Sequence, residues 1–281
     1  MSRRLCLVTG ASSGIGAALA REFANHGWDL ALVARREDRL GELAEELKAK
    51  YGVDSLIIAD DLSEPGAPER IVKAVADAGR QIDGLVNNAG AGQPGMFTET
   101  DWTDQDRFLQ LMVTSYLHLV HLIAPGMKAR RFGRIINVSS VSALLPSAKA
   151  HTRFSGTLYP GAKSLLIKLS EALALELEDD NVHVTALCPG YTWSEFHDVN
   201  GARQTVSNLP KFWMLTAEDV ATAGYDAVSR GVVTRVPGAW YKFLVAVAKV
   251  LPDPVGRALM RMQEKRMAAQ AGAAAGTSSA G

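Results

Sequence analysis

Leu5-Cys6-Leu7-Val8-Thr9-Gly10-Ala11-Ser12-Ser13-Gly14-Ile15-Gly16-Ala17 joins a short apolar run to a glycine-rich turn and then to the start of a helical pattern. Glycine reaches positive φ without strain and has no Cβ, so the backbone of such a turn comes close to whatever it binds. The amides and dipole of the following helix N-terminus favour an anion there. The same features fit an ordinary strand-to-helix turn. The glycine spacing of four and then two also differs from the G-x-G-x-x-G fingerprint, so this stretch needs support from the rest of the chain.

Working outward, further apolar runs occur at Leu30–Val33, Ser55–Ala59, Gly84–Asn87, Arg134–Val138, Val182–Leu187 and Val232–Val236. They are short and mostly continuous, as strands buried on both faces are. Helical spacing fills the intervals, for example Ala17–His26, Arg39–Lys50 and Glu69–Ala78. Gly27 supplies a C-cap signal, and Thr216 with Asp219 a capping box for a helix ending at Ser229. The βαβα alternation predicts an α/β fold: one Rossmann-type, doubly wound parallel sheet of about seven strands with helices on both faces. We expect a single domain over residues 1–267, with a substrate lid at 195–215, a C-terminal extension at 238–267 and a disordered tail at 268–281.

Bulk composition excludes several classes. Lys plus Arg and Asp plus Glu both number 30, so no net field draws the chain toward nucleic acid or an anionic bilayer. The two cysteines, Cys6 and Cys188, both lie in apolar runs, which argues against a disulfide framework and for a reducing, cytoplasmic setting. The nearest candidate for a membrane span, Phe243–Leu251, is short and broken by Lys249, so no transmembrane segment is predicted. Residues 240–267 have the aromatic and basic content of a helix that lies on a membrane surface, although packing against the domain or a partner is the favoured expectation. His118 and His121 share a helix face without a third ligand nearby, and His151 and His197 are lone histidines; no metal site is expected.

Three further motifs follow the glycine turn in order: Asn87-Asn88-Ala89-Gly90, Asn137-Val138-Ser139-Ser140, and Tyr159-x-x-x-Lys163. With Thr9-Gly10-x-x-x-Gly14-x-Gly16 they make the chain resemble the short-chain dehydrogenase/reductase family over roughly residues 4–236. The resemblance implies a nicotinamide dinucleotide cofactor held by Gly10, Ser12, Ser13, Gly14, Ile15 and Gly16. It also implies that Asp61 and Leu62 flank the adenine, with Asp60 as a rival to Asp61, and that Asn88, Ala89 and Gly90 line the ribose. Pro189, Gly190, Thr192 and Ser194 would clasp the nicotinamide. Ala34 stands where NAD-preferring relatives carry an acid, and Arg35 and Arg36 follow it. A guanidinium fork suits a 2′-phosphate, so Arg35 at the strand's carboxyl end, helped by Arg36, is read as selecting NADP rather than NAD, with Arg36 otherwise a solvated charge of the following helix.

The resemblance makes Ser140, Tyr159 and Lys163 the catalytic residues, with Ser139 as a rival to Ser140. Reduction of a carbonyl needs a proton donor at the developing alkoxide, and a residue four positions along a helix shares the tyrosine's face. We therefore expect the Lys163 ammonium to lower the Tyr159 pKa. The lysine would also hold the nicotinamide ribose, and Ser140 would orient the substrate oxygen. Phe196, Leu209, Phe212, Trp213 and Met214 in the lid suggest an apolar carbonyl or alcohol substrate.

Three departures stand out. Nineteen positions separate Ser140 from Tyr159, longer than the family's usual interval. Pro160 follows the tyrosine, which is compatible with a helix only if it falls in the first turn. Met112 falls where the family's relay asparagine belongs, with Thr114 and Ser115 as nearby hydroxyls. A cofactor-binding sensor or scaffold with weak turnover is therefore an alternative, and an epimerase or dehydratase on the same fold is another. Helices at Asp106–Met127 and Leu158–Leu177 would, by resemblance, build a homodimer or homotetramer.

Overall fold

The computed structural model describes residues 3–92, 96–147, 157–193, 211–252, 254–256, 258 and 262. Its strands are β1 (Leu5–Thr9), β2 (Asp29–Ala34), β3 (Ser55–Ala59), β4 (Ile82–Asn87), β5 (Gly133–Val138), β6 (Val182–Leu187) and β7 (Thr234–Arg235). They form one seven-stranded sheet in the order β3-β2-β1-β4-β5-β6-β7, and every pairing is parallel. The chain order reverses between β1 and β4, the crevice where ligands bind in doubly wound sheets. The two motifs that follow those strands, the glycine turn and Asn87-Asn88-Ala89-Gly90, flank that crevice.

The continuous apolar strands have a direct structural cause. In β1 the side chains of Cys6 and Val8 enter one core, with Leu19 and Phe23 of α1 (Gly14–Asn25). Leu5 and Leu7 enter the opposite core, with Ile71 and Val75 of α3 (Ala67–Asp77) and Leu119 and Ile123 of α5 (Ser115–Arg130). Both faces are covered, so both sets of alternate residues must be apolar. Phe23 alone, fully buried, is worth about 1.5–3 kcal/mol of apolar transfer.

The remaining helices are α2 (Glu37–Tyr51), α4 (Trp102–Leu109), α6 (Leu158–Glu176), α7 (Ala217–Ser229) and α8 (Ala239–Val250). The N-cap half of the predicted capping box is present: Thr216 Oγ1 accepts the Asp219 N–H at 3.0 Å. Pro160 lies in the first turn of α6, as expected, where its missing N–H costs no helical bond. Helices α4 and α5 are joined through a π-helical turn, Gln110–Thr114. The combined helix, Trp102–Arg130, is long and apolar enough to cross a membrane by length and composition. It was not the candidate that the sequence suggested, and Tyr116, Leu119 and Met127 on it are fully buried in the protein. Of the expected lid, residues 195–210 lie outside the described residues, as do Ser194, His151, His197 and the tail.

Candidate active site

The glycine turn is tightly built. Gly10 has φ +65° and Gly14 φ +55°, conformations that a side chain would strain. A Cβ on Gly16 would collide with the Gly10 carbonyl oxygen, and one on Gly10 would sit 2.8 Å from Asn88 Nδ2. The loop therefore folds back on itself at the start of α1, and a helix N-terminus of this kind suits a pyrophosphate.

Thr9, which the sequence motifs did not single out for a role, holds the crevice together. Its hydroxyl donates to the Val86 carbonyl at 3.1 Å and accepts the amides of Asn88 and Ala89 at 2.9 and 3.0 Å. Asn88 Nδ2 donates to the Thr9 carbonyl at 3.0 Å. Tyr116 Oη donates to the Ala89 carbonyl at 2.7 Å. The wall formed by Asn88, Ala89 and Gly90 is thus fixed from two sides. The earlier signals of Thr9 were its place at the head of the Thr9-Gly10-x-x-x-Gly14-x-Gly16 motif and at a strand's carboxyl end.

At the adenosine end, Arg36 Nε and Nη2 donate to Ser12 Oγ at 3.3 and 3.0 Å, so one guanidinium lies over the glycine turn. Arg35 is exposed, with Nη1 3.8 Å from the Asp61 carboxylate. Asp60 and Asp61 have different partners. Asp60 accepts two hydrogen bonds from Arg70, at 2.9 and 2.6 Å, whereas Asp61 faces Arg35 and, at 3.5 Å, Arg107. Burial pushes the Asp61 carboxyl upward, but hydrogen bonds from Ser63 and the two arginines outweigh it and hold it below its ordinary value. Leu62 is packed into the core, so its side chain does not face the crevice.

The catalytic candidates converge beyond β5. Ser140 hydrogen-bonds the Tyr159 side chain and also accepts from Ser142 N and Oγ. Ser139 instead donates to the Lys163 carbonyl at 2.8 Å and is buried, which separates the two rivals. Lys163 Nζ donates to the Val138 carbonyl at 2.7 Å and lies 5.8 Å from the centre of the Tyr159 ring and 5.4 Å from that of Tyr116. The expected lowering of the Tyr159 pKa is not what this arrangement produces. Burial pushes the phenol up to about 12, against a smaller downward effect of the Ser140 hydrogen bond. The reason is burial, which penalises charge on the phenolate more than the Ser140 hydrogen bond compensates, while the lysine is committed to a backbone carbonyl. The same burial pulls Lys163 down to about 7.

Met112 occupies the π-helical turn and is buried. Its Sγ accepts the Ala91 amide at 3.4 Å. The Ser115 amide reaches back five residues to the Gln110 carbonyl, and its hydroxyl donates to the Leu111 carbonyl at 2.7 Å. A π turn of this kind inserts a residue into a helix, frequently beside a functional site.

The Pro189–Trp193 segment follows β6. The Pro189 carbonyl accepts the Val141 amide at 3.0 Å, which ties the segment to the residue after Ser140. Thr192 bridges to Leu215, whose backbone bonds to those of Tyr191 and Trp193, and Phe212 and Trp213 just before Leu215 pack against Trp240.

Comparisons with known proteins agree with this geometry. The short chain dehydrogenase family model matches residues 4–204. Sulfoacetaldehyde reductase 2 of Chromohalobacter salexigens is 32% identical over 256 residues, covering 86% of this chain and 98% of that protein. A short-chain dehydrogenase from Sphingobium yanoikuyae, solved in complex with NADPH, is 30% identical with a TM-score of 0.75, over 88% of this chain and 93% of that one. The bulky-bulky ketone specific alcohol dehydrogenase from Comamonas testosteroni is 26% identical with a TM-score of 0.71, over 89% and 93%.

Proposed function

This chain belongs to the short chain dehydrogenase family, and from that premise we propose that it is an NADP(H)-dependent oxidoreductase acting on a carbonyl or secondary alcohol of an apolar substrate. The observation that carries the proposal is the convergence of Ser140, Tyr159 and Lys163 beyond the strand that borders β4. The nicotinamide cofactor, when bound, supplies or accepts the hydride. Gly10, Ser12, Ser13, Gly14, Ile15 and Gly16 would hold its pyrophosphate, Asn88, Ala89 and Gly90 its ribose, and Pro189, Gly190, Thr192 and Ser194 its nicotinamide. Arg36 over Ser12, with Arg35 beside it, would take the 2′-phosphate, and the NADPH bound to the Sphingobium relative supports that choice.

Ser140 orients the substrate oxygen, and Tyr159 donates its proton to that oxygen as negative charge develops. A phenol near 12 is protonated at neutral pH, so the free protein is poised as the acid for reduction. Lys163, near 7, takes up and gives back a proton in the neutral range and steadies the phenolate left behind. The exposed aromatics Tyr191, Trp193 and Phe212 suit an apolar substrate, and the Comamonas relative is described as specific for bulky-bulky ketones.

The buried free thiols of Cys6 and Cys188 support a cytoplasmic setting, and exposed Leu165 and Leu175 on α6 support a homo-oligomer. A second reading, a cofactor-binding sensor, draws on Met112, whose thioether cannot pass a proton along the route that the family's asparagine serves. Tyr159→Phe separates the two. Turnover of NADPH with a panel of bulky ketones, lost in the variant while NADPH still binds, supports the enzyme. Absence of turnover in the unaltered protein across carbonyl classes supports the sensor.

A further inference from the structure

Tyr241 lies on α8, outside the segment matched by the family model, yet its side chain reaches the Pro189–Trp193 segment. It is 2% exposed. Its ring fills the place where Gly190 would carry a side chain: an added Cβ would collide with the ring carbons. Its hydroxyl accepts the Tyr191 amide at 3.0 Å and donates to the Trp213 carbonyl at 2.7 Å. Burial pushes that phenol to about 12, so it remains a donor throughout the physiological range. The ring also packs in one cluster with Val141 and Val245, against Leu144, Leu145 and Leu215. One side chain therefore joins three segments: the turn after β6, the strip from Trp213 to Leu215, and the residues just after Ser140.

We propose that Tyr241 is a positioning residue that fixes the Pro189–Thr192 turn and thereby sets affinity for the nicotinamide half of the cofactor. The proposal rests on the cofactor reading above. Gly190 is required because the ring occupies its side-chain space, and the ring is required because only a hydroxyl at its tip meets both Tyr191 and Trp213. The contact follows β6, three places along the sheet from β1 and its glycine turn, so the adenosine half should not register its loss.

The test compares NADPH with adenosine 2′,5′-bisphosphate, which carries only the adenosine half, by calorimetry on the unaltered protein, Tyr241→Phe and Gly190→Ala. Tyr241→Phe keeps the ring and removes two hydrogen bonds. It should weaken NADPH binding about tenfold while leaving the bisphosphate within about twofold. Gly190→Ala attacks the same contact from the turn and should give the same selective loss. NADPH affinity unchanged in Tyr241→Phe, or both probes weakened alike, would overturn the proposal while leaving the cofactor reading intact. If the unaltered protein binds neither probe, the cofactor reading falls and this proposal with it.

Discussion

Met112 Sγ accepts the backbone amide of Ala91 at 3.4 Å, so the thioether at the position where the resemblance places an asparagine makes a structural hydrogen bond at the edge of the crevice. Substituting asparagine there would supply an amide oxygen for the same N–H and a polar group in the π-helical turn. Met112→Asn should raise the turnover number by about tenfold if proton relay limits the rate, a modest share of what positioned proton transfer contributes. It should also lower stability by about 1–3 kcal/mol for the buried amide. Steady-state kinetics and urea denaturation check both. An unchanged turnover number would show that proton relay through this turn does not limit the reaction.

Lys163 and Tyr159 give stability a defined pH dependence. Lys163 falls from 10.5 to about 7 on folding, so between those values the unfolded chain binds more protons. The burden of burying the ammonium is greatest below pH 7 and fades as pH rises toward 10.5, so stability increases over that window. Tyr159 rises from 10.0 to about 12, so the folded state keeps its proton longer and stability declines above pH 10. Denaturation midpoints at pH 7 and pH 9.5 should show the unaltered protein gaining on Lys163→Met. Parallel pH profiles for the two proteins would contradict this.

Two glycines should respond oppositely to alanine. Gly16→Ala forces a Cβ against the Gly10 carbonyl, a backbone atom that cannot swing aside, and should cost at least about 3 kcal/mol along with cofactor binding. Gly41 lies within α2 with nothing within 4 Å of an added Cβ, so Gly41→Ala should stabilise by about 1 kcal/mol. Thermal unfolding of the pair measures the contrast.

Thr9→Val keeps the shape of a buried side chain but leaves the Asn88 and Ala89 amides without their acceptor. Each orphaned amide costs about 1–3 kcal/mol, so a loss of roughly 3 kcal/mol in stability is expected. NADPH affinity should fall with it, because the ribose wall is no longer fixed. Thr9→Ser, which retains the hydroxyl, should recover most of both.

Much of the fold was legible because its strands are buried on both faces. Val182–Leu187 forms at its expected bounds, and so does the edge strand Ser55–Ala59, although Ile57 and Ala59 in it are exposed. The other edge strand was overestimated: Val232–Val236 reads as a strand, but only Thr234–Arg235 pair with β6. Thr9 was omitted from β1 because its side chain is polar, although that hydroxyl is what secures Asn88. The site's motifs located Ser140, Tyr159 and Lys163, but not their electrostatics. A spacing of four along a helix does not say whether an ammonium meets a phenolic oxygen or the ring face. Nor could the sequence reveal Tyr241 against the Gly190–Tyr191 turn, because a contact across some 50 positions leaves no local pattern.

The most direct measurement is the affinity of NADPH against NADH, in the unaltered protein and in Arg35→Ala and Arg36→Ala. The account predicts strong preference for NADPH, reduced by about 1–3 kcal/mol when the guanidinium that lies over Ser12 is removed. Equal affinity for the two cofactors would contradict the assignment of the arginines, and failure to bind either would contradict the oxidoreductase itself.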